Sequence, residues 1–195
     1  MVPGIVLAAG ASSRMGAAKP LLTLGNCTFL RRILEAFRDG GVLSVVVVVR
    51  PGLPGVEEEV ARIGFGSLVQ NPAPEAGQLS SLLVGLSAVE RPEVTGVLVT
   101  LADVPLISAA TVRTVLERAS LTTAPIVRAV HRGEHGHPVL FKRSMFDALR
   151  RADPSLGAKA VVRSHEVDDV EVGDPGITED VDTPEDYARL REGIQ

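Results

Sequence analysis

Arg14 and Lys19 lie within one short stretch, IVLAAGASSRMGAAKPLL, whose loop carries little other side-chain bulk. Ile5, Val6 and Leu7 form an apolar run of the kind buried inside a parallel sheet, and Ala8, Ala9 and Gly10 then take the backbone into a turn with nothing large on it. Such a turn offers backbone N–H groups to an anion. A guanidinium and an ammonium beside it supply fixed positive charge, so a di- or triphosphate fits. Neither common phosphate fingerprint is present there: no G-x-G-x-x-G, and no Gly-Lys-Ser/Thr closing a P-loop. The second chemical group is Asp103, directly after the apolar run 97–101 and just ahead of Pro105. A carboxylate at such a strand end can hold Mg²⁺ against phosphate oxygens, because Mg²⁺ takes one or two protein carboxylates and completes its shell with water and phosphate. Asp103 as a helix cap is the competing reading. Ser108 is the better N-cap for the helix that follows and leaves Asp103 unemployed.

These groups need a scaffold, and the chain supplies one by alternation. Phe29, Leu30, Ile33, Leu34 and Phe37 recur at helical spacing, and Gly40 and Gly41 end that helix. The nearly unbroken valine run 42–49 predicts a strand covered on both faces. The segment 55–63 reads as a partly exposed helix whose Glu57, Glu58 and Glu59 suit the positive end of its dipole. A short strand at 67–70 is broken by the residues 71–74, a helix carries Leu79, Leu82, Leu83 and Leu86, and 96–101 is another buried strand. Strand then helix, repeated, predicts a three-layer α/β fold with a mostly parallel central sheet and right-handed crossovers, a single domain over 1–195. Ligands in such sheets lie beyond the carboxyl ends of the strands, where the cations and Asp103 fall. After 124–129 a polar hairpin, 131–136, leads to His137, Pro138, Val139, Leu140 and Phe141, read as an antiparallel excursion at the edge of the sheet. His131, His135 and His137 invite a zinc reading, but no cysteine joins them and the spacing matches no zinc pattern, so His131 and His135 read as solvated loop residues. Thr183 and Pro184 read as N-cap and first residue of a last helix, with Glu185 and Asp186 at its positive end.

From Leu7 to Lys19 the chain reads L-A-A-G-x-S-x-R-M-G-x-x-K, which resembles the signature loop of the MobA-like nucleotidyltransferases. Its Leu-Ala-Ala-Gly opening is similar to the molybdenum cofactor cytidylyltransferases (MocA type), where guanylyltransferases typically open Leu-Ala-Gly-Gly. The resemblance implies a Rossmann-like, GT-A-like domain that binds a nucleoside triphosphate and Mg²⁺ and transfers the nucleotidyl group to a phosphorylated acceptor, releasing pyrophosphate. On that reading Leu7, Ala8, Ala9 and Gly10 bind the nucleotide and Arg14 and Lys19 the β and γ phosphates. The segment 71–82, with Gly77, Ser80 and Ser81, resembles the family's base-recognition loop, although helix capping by the serines fits equally well. Asp103 stands in the family's Gly-Asp-x-Pro, with Ala102 replacing the glycine. Gly-His-Pro-Val-Leu-Phe resembles the acceptor side, making His137 a candidate contact. The stretch SLGAKAVV is similar to a degenerate Gly-Asp-x-Gly-Ala-Arg segment, and Lys159 offers a point charge where arginine offers a planar fork. The run 179–186 matches the closing D-x-D-T-P-E-D, which implies Asp182 as second metal ligand ahead of Asp180, whose plainer reading is a solvated turn residue.

The favoured reaction is transfer of CMP from CTP to a molybdopterin-type cofactor, with a molybdoenzyme or its chaperone as further partner. The Ala9 methyl, absent from the guanylyltransferase pattern, narrows the turn beside the base, worth only about 1–3 kcal/mol. Two other readings stay open: transfer to a sugar or alditol phosphate, and NAD(P)H-dependent reduction on the same scaffold, as in nicotine blue oxidoreductase-like proteins. Against the latter, the loop lacks G-x-G-x-x-G and the acidic ribose-binding residue about 20 positions on.

Composition sets the outer bounds. At 195 residues, 45% hydrophobic and 23% charged, the chain is long enough for a sizeable core. A net charge of −4 argues against nucleic acid as main partner and leaves positive charge to act locally. Cys27 is alone, so no internal disulfide forms, and it has no His–Asp partner set for nucleophilic chemistry. With no signal-like start and no apolar run near the roughly 20 residues of a membrane span, the expected location is the cytoplasm, with no membrane contact.

Overall fold

The computed structural model describes residues 1–10 and 18–193. β1 (Gly4–Ala8) is buried along its whole length. Val6 and Ala8 enter the core on one face and Ile5 and Leu7 the core on the other, the pattern of a strand between two helical layers. A small antiparallel pair follows, β2 (Thr23–Leu24) and β3 (Cys27–Thr28), then α1 (Phe29–Asp39). Thr28 caps α1 by accepting the Arg31 N–H at 3.1 Å. β4 (Val45–Val49) precedes α2 (Val56–Ile63). Within α2 the acidic cluster divides: Glu59 is buried and accepts the Thr28 hydroxyl at 2.6 Å, so it clamps α2 against the start of α1 instead of facing solvent.

β5 (Ser67–Gln70), α3 (Gln78–Val89), β6 (Gly96–Leu101) and α4 (Ala109–Leu121) continue the alternation, with the Ser108 side chain capping α4. β7 (Ile126–His131) and β8 (Glu134–Lys142) form the hairpin; α5 (Phe146–Arg151), α6 (Gly157–Ser164), β9 (Val167–Glu171) and α7 (Pro184–Glu192) complete the chain. The seven-stranded sheet runs β5-β4-β1-β6-β8-β7-β9. β1 pairs in parallel with both β4 and β6, β8 runs antiparallel to both β6 and β7, and β7 pairs in parallel with β9.

The hairpin therefore lies inside the sheet and not at its edge. Val139, Leu140 and Phe141 are all buried, and consecutive apolar residues can be buried together only where helices cover both faces. The edge on this side belongs to β9, whose sequence VDDVE carries little strand signal because two aspartates lie within it. Those aspartates are matched by Arg118 and Arg128 at 2.8 Å each. Among the described residues no helix is long and apolar enough to cross a membrane.

Candidate active site

The site forms where β1 and β6 end together. The Ala102 N–H donates to the Leu7 carbonyl at 3.0 Å, and the Val181 N–H donates to the Asp103 carbonyl at 2.9 Å. The first bond pins the turn bearing Asp103 to β1, and the second lays the segment before α7 across it. α7 opens with a capping box in which Thr183 and Asp186 exchange hydrogen bonds. Asp186 Oδ2 also accepts the Asp182 N–H at 3.3 Å, which fixes the Asp182 backbone without engaging its carboxylate. The Tyr187 hydroxyl donates to the Thr23 carbonyl at 2.7 Å and ties this helix to the β2–β3 pair.

Lys19 begins a short 3₁₀ turn with Pro20. Its ammonium donates to Asp182 Oδ1 at 2.6 Å and to Asp103 Oδ2 at 3.4 Å. The side chains of Lys19, Asp103 and Asp182 are 14%, 23% and 54% exposed. Burial raises the Asp103 carboxyl above its usual range; the Lys19 charge and hydrogen bond oppose this, and the neighbouring Asp182 charge adds to it. Asp103 Oδ1 is buried with no hydrogen-bond partner among the described residues. A carboxylate held partly desolvated with one oxygen unserved is placed for a cation. Two hard carboxylates suit Mg²⁺ or Mn²⁺, which draw the rest of their shell from water and phosphate, and among the described residues no three His, Cys, Asp or Glu side chains gather to offer more.

Beside this cluster opens a cavity of about 600 Å³, walled by apolar residues that include Leu7, Leu82, Val99, Val139 and Phe141. His137, Lys159, Arg163 and Asp180 also line it. At Gly136 the β8 backbone passes so close to the 175–177 turn that a Cβ would lie 2.7 Å from the Ile177 carbonyl carbon. That turn is held by Asp174, which accepts the Ser108 N–H at 2.9 Å, the Thr111 hydroxyl at 2.6 Å and the Gly176 N–H at 3.0 Å. The following residues, Asp180 among them, are thereby carried to the cavity. His137 Nδ1 faces the Val99 carbonyl at 3.4 Å; a carbonyl only accepts, so Nδ1 carries the proton and Nε2 is the acceptor. Burial lowers the His137 imidazole from its ordinary range, the Val99 contact opposes that, and the Lys159 charge lowers it further. Lys159 and Arg163 make no ion pair among the described residues, whereas Arg128, on the same wall, is paired with Asp169.

Of the residues singled out in the sequence, Lys19, Asp103 and Asp182 converge, and Leu7 and His137 share the cavity. Asp180 is separated from Asp182 in position: it faces the cavity, while Asp182 meets Lys19. Ala8 and Ala9, at and just after the end of β1, are each 5% exposed, and Gly10 is exposed, with nothing among the described residues within 4 Å of where its Cβ would be. Arg14 lies outside the described residues. Ser80 and Ser81 are inside the first turn of α3 and do not cap it, since the N-cap is Gly77. Both accept from the Asn71 amide, at 2.8 and 2.9 Å, and so stiffen the 71–77 loop. Gly77 has φ of +90°, a backbone that other residues rarely adopt. Arg163 and Gln78, also on the cavity wall, were not singled out. Arg163 follows Lys159 at helical i, i+4 spacing, which is the signal that finds it.

The strand-end carboxylates, the Lys19 ammonium between them and the doubly covered sheet fit a nucleotidyltransferase-type site. The chain belongs to the MobA-like NTP transferase domain family, whose model matches residues 4–170. It is 27% identical to a probable molybdenum cofactor guanylyltransferase of Natronomonas pharaonis, covering 98% of this chain and 97% of that protein. It is 26% identical to a molybdenum cofactor cytidylyltransferase of Escherichia coli, covering 96% and 94%. Among solved structures, Rv0371c of Mycobacterium tuberculosis superposes with a TM-score of 0.84 at 31% identity, covering 98% of each chain. A manganese complex of Rv0371c matches with a TM-score of 0.78 at 29% identity, over 99% of each chain.

Proposed function

We propose that this nucleotidyltransferase transfers CMP from CTP to a molybdopterin-type cofactor with release of pyrophosphate, and that the product passes to a molybdoenzyme or its chaperone. One observation carries the reading: Lys19, Asp103 and Asp182 converge at the carboxyl end of β1 and β6, beside a cavity large enough for an acceptor. The acceptor phosphate attacks the α-phosphorus, and the bond from that phosphorus to the bridging oxygen of pyrophosphate breaks. No protein nucleophile is needed, because such displacement is won by positioning and charge stabilisation. Asp103 and Asp182 would hold Mg²⁺, which neutralises charge on the phosphate oxygens when bound. The manganese complex of Rv0371c, similar to this chain over 99% of its length, supports a divalent ion as the cofactor. Lys19 holds charge near the β and γ phosphates, as does Arg14 on the resemblance. His137 Nε2 accepts a hydrogen bond from the acceptor, Lys159 attracts its anionic part, and the apolar walls exclude water.

The Leu-Ala-Ala-Gly opening supports CTP over GTP. Ala9 is buried, so its methyl acts through packing just after β1 and not by direct contact with the base. Gly77, with Ser80 and Ser81 stiffened by Asn71, forms the loop that meets the base. Thermal shift with CTP, GTP, ATP and NADPH, each with and without Mg²⁺, tests the proposal. The largest stabilisation is expected from CTP with Mg²⁺. A larger shift with GTP would reverse the base assignment, and a shift with NADPH alone would replace nucleotidyl transfer by redox chemistry.

A further inference from the structure

Lys19 stands where the cation of the reaction belongs. Its ammonium bridges Asp182 Oδ1 at 2.6 Å and Asp103 Oδ2 at 3.4 Å, the two carboxylates given above to the divalent ion. One positive charge neutralises only half of theirs. The ammonium engages Asp103 through Oδ2 and leaves Oδ1 buried and unserved among the described residues, so the pair keeps capacity for a stronger cation. An ammonium and a divalent ion cannot both occupy this space. Both would sit against the same two carboxylates, and at separations of about 4 Å their repulsion is on the order of ten times thermal energy even at an effective dielectric constant of about 20. A free ion must therefore evict Lys19, which at 14% exposure has little water around it to replace the two carboxylates. A triphosphate changes the balance, because its oxygens give the ammonium a new anionic partner as the carboxylates turn to the metal.

Building on the function proposed above, we propose that the ligand of this site is the metal–triphosphate complex and not the free ion, because Lys19 occupies the cation position until a polyphosphate draws its ammonium away. Lys19 thus has two successive partners: in the absence of nucleotide it holds two like charges together, and with nucleotide it contacts phosphate. Metal and nucleotide binding are linked through that exchange.

Titration of Mn²⁺ at pH 8 without nucleotide, read from the electron paramagnetic resonance signal of the free ion, tests this. Lys19→Met is expected to bind Mn²⁺ about tenfold or more tighter than the unmodified chain. Lys19→Gln, which keeps a donor for the carboxylates and so protects the fold, is expected to follow it, whereas Lys19→Arg, which keeps the charge, is not. Asp103→Asn is expected to bind weakest. Binding by Lys19→Met and Lys19→Gln no tighter than the unmodified chain, with Asp103→Asn weaker still, overturns the inference and leaves the metal assignment standing. Asp103→Asn binding as well as the unmodified chain places the ion elsewhere and removes both.

Discussion

On one side of the cleft, at the ends of β1 and β6, Lys19, Asp103 and Asp182 are engaged with one another before any ligand arrives. On the other, along β8 and α6, apolar and polar residues share the wall, burial lowers the His137 imidazole from its ordinary range, and Lys159 and Arg163 have no carboxylate partner among the described residues. The difference separates two tasks. Charges that satisfy each other must be redistributed when the ligand binds, which suits a region where bonds are broken and charge develops. Cations left unpaired beside a partly apolar wall attract an anion and select its shape, which suits recognition of an acceptor. The supporting structure differs in the same sense. The first side hangs on backbone hydrogen bonds between strand ends, and the second on a hairpin, a helix and a turn latched by Asp174.

The comparison breaks most visibly at Asp103. Asp103→Ala is expected to lower kcat/KM by about 10³-fold or more, while leaving the melting temperature at pH 7 unchanged or higher. The sign follows from its raised carboxyl: the folded state favours the protonated form, so the stability linked to this group is present at low pH and is lost as pH rises through the folded value. At pH 7 the ionised group opposes folding, and removing it relieves that opposition. The stability gain should vanish as pH falls into the acid range. A melt showing large destabilisation at pH 7 would make Asp103 a structural residue instead. On the other side, Lys159→Ala is expected to raise KM for the acceptor about tenfold, the loss of one charged contact worth about 1.4 kcal/mol, with KM for the nucleotide unchanged. Equal changes in both constants would show that the two sides are not separate.

The sequence displayed the first side far better than the second. The valine-rich β4 and the apolar β1 and β6 are legible because both faces are buried, and Ser108 and Thr183 announce the helices they cap. The place of the hairpin was not legible, since a polar turn looks the same at an edge or in the middle; only the consecutive burial of Val139, Leu140 and Phe141 shows that helices cover it twice. β9 was hidden because Asp168 and Asp169 weaken its strand signal, and their arginine partners are distant in sequence. At the site, Asp103 was legible from its strand end, and the family pattern drew attention to Asp182. Neither showed that Lys19 lies between them, because the contacts span 84 and 163 positions. Ser80 and Ser81 read as free polar groups, but Asn71 takes up both hydroxyls.

The most direct measurement follows the label of CTP carrying ³²P at the α position, incubated with the protein, Mg²⁺ and molybdopterin. Attack at the α-phosphorus predicts that the label moves to the cofactor while one pyrophosphate is released for each label transferred. Label retained in CDP with release of orthophosphate, or no labelled cofactor while CTP is consumed, would contradict nucleotidyl transfer at this site.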